Sequence, residues 1–201
     1  RARLLAVGLL AYLFYQYFMY ALAWAFGPLF PLFILIFAAS LAAIVWLLAD
    51  IGIASAASRF SDRFPRRGMA ALCIALAAVL SLMWGARIAQ ALAGRIEGIL
   101  LGQTTLVVQA LDLGLLVPLA VFTAVAALKG SPIGYVLCST LVVKALSMSV
   151  AICAMLVGAW KTEGAFEAAP FALFAAAAGA SLVLAIQMFR SVAPEIAERT
   201  R

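Results

Sequence analysis

Six long apolar runs constrain this chain more than any other feature. A bilayer core about 30 Å thick needs about 20 apolar residues in helical form. Six stretches qualify: Leu4–Phe26, Leu29–Ala49, Met69 to about Ala91, about Thr104 to Leu128, Ile133–Trp160 and Pro170–Phe189. Strands are a poor alternative, because the runs are too long and lack period-two alternation. The 201 residues are 68% hydrophobic and 11% charged, whereas soluble domains are about 45–50% apolar and about 25% charged. The pattern predicts an all-α polytopic membrane protein, with residues 1–201 forming a single six-helix transmembrane domain in a lipid bilayer. The chain opens on Arg1 rather than Met, so native residues upstream are expected. A cleaved signal peptide would leave no trace.

The connections are short. Gly27-Pro28 breaks the chain between spans one and two, and Lys129-Gly130-Ser131-Pro132 makes a tight turn between spans four and five. The longest of the inter-span segments is Asp50–Gly68. There Ile53, Ala57, Phe60 and Phe64 recur at helical spacing, opposite Arg59, Asp62, Arg63 and Arg66. This predicts a short interfacial amphipathic helix between helices 2 and 3, ending near Pro65. The alternative is an ordinary basic loop.

Positive residues set an orientation. Arg1 and Arg3 precede span one; Arg59, Arg63, Arg66 and Arg67 follow span two; Lys129 follows span four; Arg190, Arg199 and Arg201 follow span six. All fall on one side. The other side holds Arg95 and Lys161, with Arg87 near a helix end. The bias predicts a multi-pass protein of the cell inner (cytoplasmic) membrane with both termini cytoplasmic. Topology therefore accounts for the net charge of +6, and nucleic acid is not an expected partner. Trp24, Trp84 and Trp160 fall near the outer ends of spans one, three and five, as interfacial anchors do, although each could instead pack against a neighbouring helix.

Two charges fall inside the apolar runs. Asp112 lies in span four and Lys144 near the middle of span five. A charge at the bilayer centre costs about 2.5–3.5 kcal/mol on insertion scales. Each must find a partner, water or a neutral state. Thr105, Gln109 and Asp112 stand at i, i+4 and i+7, as do Thr140, Lys144 and Ser147. Two such stripes on helices joined by a tight turn are expected to face each other or a shared cavity. Asp112 is 18 residues before Gly130 and Lys144 is 14 after it, so their backbones differ in height by roughly 6 Å. A direct ion pair, a bridging water or Gln109 could each close that gap. Gln16 sits near mid-membrane on span one, and Arg87 could join the network from outside. Four tyrosines, Tyr12, Tyr15, Tyr17 and Tyr20, crowd span one, and some of their hydroxyls should find partners within the bundle. Pro118 could kink span four beside the site and free a backbone carbonyl. The functional reading is an outward-opening polar cavity with a titratable pair at its base. The structural reading is a buried bridge that fixes helix register.

The absence of histidine argues against haem, zinc-hydrolase and serine-triad chemistry, and no cofactor or metal is expected. Cys73, Cys138 and Cys153 form no CxxC pair and read as small apolar residues. Glu97, Glu163 and Glu167 lie in loops without a paired base. Ala175 and Gly179 in span six are four apart, which lets two helices approach closely, within the chain or between subunits.

The stretch TTLVVQALDLGLLVPLA, followed by GYVLCSTLVVKALSMSVAICAM, resembles a group of uncharacterised prokaryotic integral membrane proteins. These pair a QxLDLGxxVPLA span with a GYxLAxxLLVK span. The segment YLFYQYFMYALAWAFGPLFPLF is similar to their aromatic-rich first hairpin. The resemblance covers most of the chain, implies six helices and points to Gln109, Asp112 and Lys144. It implies no activity.

Four functions remain in view. The first is a small transporter or ion-conducting protein, oligomeric, built on Asp112 and Lys144 and acting on an unidentified small solute or ion. The second is a non-catalytic accessory subunit of a larger membrane complex. A lipid- or quinone-directed enzyme lacks the expected HxxxH, DxxxD or serine–histidine arrangement, and a voltage sensor lacks an arginine ladder.

Overall fold

The structure, a computed structural model, describes residues 1–24, 26–95, 100, 105–164 and 166–193. Thr104, Glu97, Arg199 and Arg201, which figured in the sequence reading, lie outside the described residues. The regular elements are helical: α1 (Ala2–Ala23), α2 (Phe30–Ile51), α3 (Ile53–Ala57), α4 (Arg66–Leu92), α5 (Val107–Leu111), a π-helical turn (Asp112–Leu116), α6 (Val117–Leu128), α7 (Pro132–Glu163) and α8 (Ala168–Ser191). With α5, the π turn and α6 taken as one span, Val107–Leu128, six helices are long and apolar enough to cross a membrane. The protein is all-α, as the apolar runs predicted.

Local chemistry sets the boundaries. Helix α6 ends in a Schellman turn: Gly130, at φ 66°, donates to Ala127 O and Ser131 to Ala126 O, both at 3.0 Å. Ser131 then caps α7, its Oγ accepting from the Gly134 amide at 3.3 Å, with Pro132 in the first turn. One residue thus closes one helix and opens the next, which forces α6 and α7 into a tight antiparallel hairpin. Gly134 makes that closeness possible. A Cβ there would lie 2.5 Å from the Ala126 carbonyl carbon.

Helix α7 is the hub, packed against α1, α3, α6 and α8, while α4 packs on α6. The α4–α6 seam is made of small residues: Ala70, Cys73 and Ala77 meet Ala120 and Ala124, with Leu141 of α7 alongside. Small side chains let helix backbones approach where lipid supplies no hydrophobic drive. Ala175 and Gly179, expected to allow close approach within the chain or between subunits, are exposed on α8 and make no such contact within the chain. Helix α8 instead turns Ser181, Ala185, Met188 and Ser191 inward. Helix α2 packs on α1 through aromatic contacts, with Phe37 against Phe14 and Phe18, and Phe33 against Tyr17 and Tyr20.

Several of the described basic residues gather at one end, where the N-terminus, the second inter-span segment and the end of α8 meet. Arg1 donates to Val192 O at 2.9 and 2.6 Å, Arg3 pairs with Asp50 at 2.9 Å, and Arg66 lies over the Tyr135 ring at 5.4 Å. A short helix stands between the second and third spans, as expected, but it stops at Ala57. Phe60 and Phe64 follow it outside the helix, Phe60 stacking on Tyr135 and Phe64 meeting the same ring edge-on. Their apolar face is therefore turned into the protein, where Phe64 joins the core with Met69, Val142 and Met188.

Gly8 sets the approach of α1 to α7, because a Cβ there would fall 2.5 Å from Val143 Cβ. We expect Gly8→Ala to lower stability by about 1–3 kcal/mol, the usual cost of overpacking. Pairing it with Val143→Gly should recover part of that loss. Gly134→Ala has no such remedy, since the obstructing atoms are backbone. Thermal unfolding of the detergent-solubilised variants checks both outcomes; strictly additive effects for Gly8 and Val143 would refute the close contact.

Candidate functional site: an intramembrane aspartate and lysine joined by a tyrosine

Asp112 and Lys144 are both interior, at 6% and 7% exposure. They do not touch: among the described residues there is no ion pair between them within 4.0 Å. Tyr15 of α1 stands between them. Its hydroxyl donates to Asp112 Oδ1, and its ring face meets Lys144 Nζ at 4.0 Å from the centroid. Trp84 of α4 donates its indole N–H to the other carboxylate oxygen, Oδ2, at 2.7 Å. Asp112 thus holds α1 and α4 to its own helix through two hydrogen bonds to a charged acceptor, which are stronger than neutral ones.

The sequence explains why these four meet. Tyr15 follows Gly8 by seven residues and so lies on the same face of α1, the face that Gly8 lets approach α7. Val143, the neighbour of Gly8, directly precedes Lys144. Trp84 is 18 residues past Arg66 and Asp112 is 18 before Gly130. Both therefore stand about 27 Å above the basic end, while Lys144 stands about 21 Å above it. A tyrosine side chain is long enough to bridge that step.

The backbone departs from α geometry at Asp112. The π turn Asp112–Leu116 carries an i→i−5 bond from the Val117 amide to Asp112 O. Pro118 follows two residues later. It lacks an amide for Gly114 O and would crowd it, and the wider turn relieves that conflict. The proline kink anticipated from sequence thus takes the form of a π turn that begins at the aspartate. Such turns recur at functional positions.

The other candidate residues divide. Gln109 is buried at 7% exposure on α5, and its carboxamide makes no side-chain hydrogen bond among the described residues. Arg87 is half-buried three residues past Trp84. Gln16 and Ser147 are half-buried, with no side-chain hydrogen bond among the described residues. Thr140 spends its hydroxyl on Val136 O at 3.0 Å, within α7. Thr105 stands apart. It is exposed and precedes the helix, because Leu106 at φ −88°, ψ 69° is not helical. The expected Thr105–Gln109–Asp112 stripe therefore keeps only its last two members.

Sequence reasoning missed Tyr15 and Trp84 as site residues. Tyr15 was one of four equivalent phenols. Trp84 read as an interfacial anchor, but its indole turns to the carboxylate, the strongest acceptor near it. Trp24 and Trp160, by contrast, are exposed near their helix ends. Two depressions are formed by the described residues. A depression of about 500 Å³ is lined by Asp62, Phe64, Pro65, Arg66, Arg67 and Gly68. A smaller one of about 120 Å³ lies by Arg1, Asp50 and Arg59. Both are at the basic end, away from the pair.

No protein family, curated protein or solved structure matches this chain.

Tyr15→Phe and Trp84→Phe each remove one donor from a buried carboxylate. Each should cost about 1.5–3 kcal/mol, the range for hydrogen bonds to charged groups. In an Asp112→Asn background the Tyr15→Phe cost should fall to about 0.5–1.5 kcal/mol, as for a neutral bond. Unfolding free energies of the four corners of this double-mutant cycle test the coupling.

Proposed function

We propose that the protein is a small membrane transporter or ion-conducting protein whose working site is the Asp112–Tyr15–Lys144 centre. One observation carries this reading. The Lys144 ammonium is buried beside a carboxylate, yet Tyr15 holds it off that carboxylate with its N–H donors unspent. A bridge that serves only to fix register gains most from direct, fully hydrogen-bonded contact. An ammonium kept apart from its counter-ion can exchange partners. Intramembrane ionisable groups characteristically mark ion and substrate paths, and the π turn at Asp112 supplies a backbone irregularity of the kind found at such sites.

The same reading puts the start of α1 and the end of α8 on the cytoplasmic side of a bacterial inner membrane. Its support is the basic end formed by Arg1, Arg3, Arg59, Arg66 and Lys129. A second reading, an accessory subunit of a larger complex, draws on the fact that both Asp112 oxygens already hold donors. Purification with a stoichiometric partner, and no transport by the isolated protein, would favour it.

The test is reconstitution into liposomes containing an entrapped pH-sensitive dye and a potential-sensitive dye, with sodium, potassium, methylammonium and nitrate gradients imposed in turn. At least one gradient should be dissipated faster than in empty liposomes. Asp112→Asn and Lys144→Met should each reduce that flux at least tenfold. Flux by none of the four, or equal flux in all variants, removes the proposal.

A further inference from the structure

The transport reading leaves the nature of the solute open, and the unspent groups of the centre narrow it. Lys144 offers a positive charge and three N–H donors at bilayer depth. Among the described residues it makes no hydrogen bond and no ion pair, and its recorded contact is the Tyr15 ring. Asp112 is already engaged, each of its oxygens holding a donor. Of the neighbouring α7 hydroxyls, Ser139 and Thr140 are engaged, while Ser147 makes no side-chain hydrogen bond among the described residues. Ser139 Oγ bonds to Tyr135 O and Val136 O at 3.0 and 2.8 Å, and Thr140 Oγ1 bonds to Val136 O at 3.0 Å. Helix α8 turns only the uncharged Ser181, Ala185, Met188 and Ser191 inward.

The spare capacity at the Tyr15 ring is thus a cation with donors to give. A cationic solute is less favoured, since two of the carboxylate's roughly four acceptor sites are already taken and an ammonium already occupies the aromatic face. The complement of an ammonium with free donors is an acceptor carrying negative charge. Tyr15 touches both groups, so Asp112 stands about one phenol ring from Lys144, and each further negative charge on the solute meets more repulsion.

We propose that Lys144 is the binding group for a small monovalent anion, and that Tyr15 is the positioning residue that keeps its ammonium from collapsing onto Asp112. This rests on the transport reading and names its substrate class. In the bound state the anion accepts from Nζ. The interaction of Lys144 with the Tyr15 ring is weaker than one with an anion, so the ammonium can leave the ring when the anion arrives.

Calorimetric titration of the purified full-length protein in detergent tests the assignment, with sodium nitrate, formate, chloride and sulfate as probes at matched ionic strength. Nitrate or formate should bind saturably at one site per chain, and sulfate at least tenfold more weakly. Lys144→Met should weaken nitrate binding at least tenfold while keeping a cooperative melting transition. Tyr15→Leu, which lets the charges pair directly, should weaken it at least fivefold. If Lys144→Met does not fold, Lys144→Arg decides: the formate-to-nitrate preference should shift at least threefold, because a planar guanidinium meets a carboxylate differently from a point charge. Absence of saturable binding by every monovalent probe overturns the proposal, as does undiminished binding in folded Lys144→Met or an unchanged preference in Lys144→Arg. Lys144-dependent flux of methylammonium or potassium without anion binding would sink the anion assignment and leave transport standing. Lys144-dependent nitrate binding without any flux would do the reverse.

Discussion

A carboxylate has been taken out of water in the apolar interior of a helix bundle, and the arrangement around it follows from that cost. Desolvating an ion costs several kcal/mol even after relaxation. Asp112 offsets this with two donors drawn from two other spans, Tyr15 of α1 and Trp84 of α4. Neither donor is local in sequence, so the bonds close only when three helices are assembled in register. The same pair of bonds therefore acts as a structural latch and as the reason a negative charge can persist there. Lys144 depends on it at one remove, because its ring contact exists only while Tyr15 is held by Asp112.

Backbone irregularities do the positioning. Gly8 brings α1 against Val143, one residue before Lys144, and so decides which of the four span-one tyrosines enters the centre. Gly130 and Gly134 close the α6–α7 hairpin and fix the register of Asp112 against Lys144. The π turn before Pro118 rotates the helix at the aspartate itself. Each of these features gives up some intrinsic helix stability for a side-chain placement that a regular helix would not provide.

Much of the architecture was legible in the sequence because its causes are local. Hydrophobic run length fixed the spans, and the insertion cost of a charge made Asp112 and Lys144 stand out without any knowledge of their neighbours. Counting from Gly130 puts a step of roughly 6 Å between their backbones. The identity of the bridge was not legible. Choosing Tyr15 over Tyr12, Tyr17 or Tyr20 requires the rotation of α1, which is set by a contact between Gly8 and Val143, 135 positions apart in the chain. Trp84 stayed open between two roles because an indole near a helix end satisfies the interfacial rule and the buried-donor rule equally well until Asp112 is found within its reach. Thr105 failed for a different reason: the helical period was extended past Leu106, where the helix has not yet begun.

The offset between the two charges bears on what the centre can do. Had Lys144 and Asp112 stood at one height, they would have closed into a direct pair. At low dielectric such a pair is held strongly enough that no solute of modest affinity separates it. Placed one step apart with an aromatic ring between, each charge keeps a partner weak enough to exchange or selective enough to stay. Asp112 keeps its two neutral donors, and Lys144 keeps a ring face it can leave. The carboxylate then serves as the fixed counter-charge that makes an intramembrane ammonium tolerable, while the ammonium remains chemically available. A tyrosine suits this position better than either of its simpler relatives. Phenylalanine would supply the ring without tethering it to Asp112, and serine would tether without separating the charges.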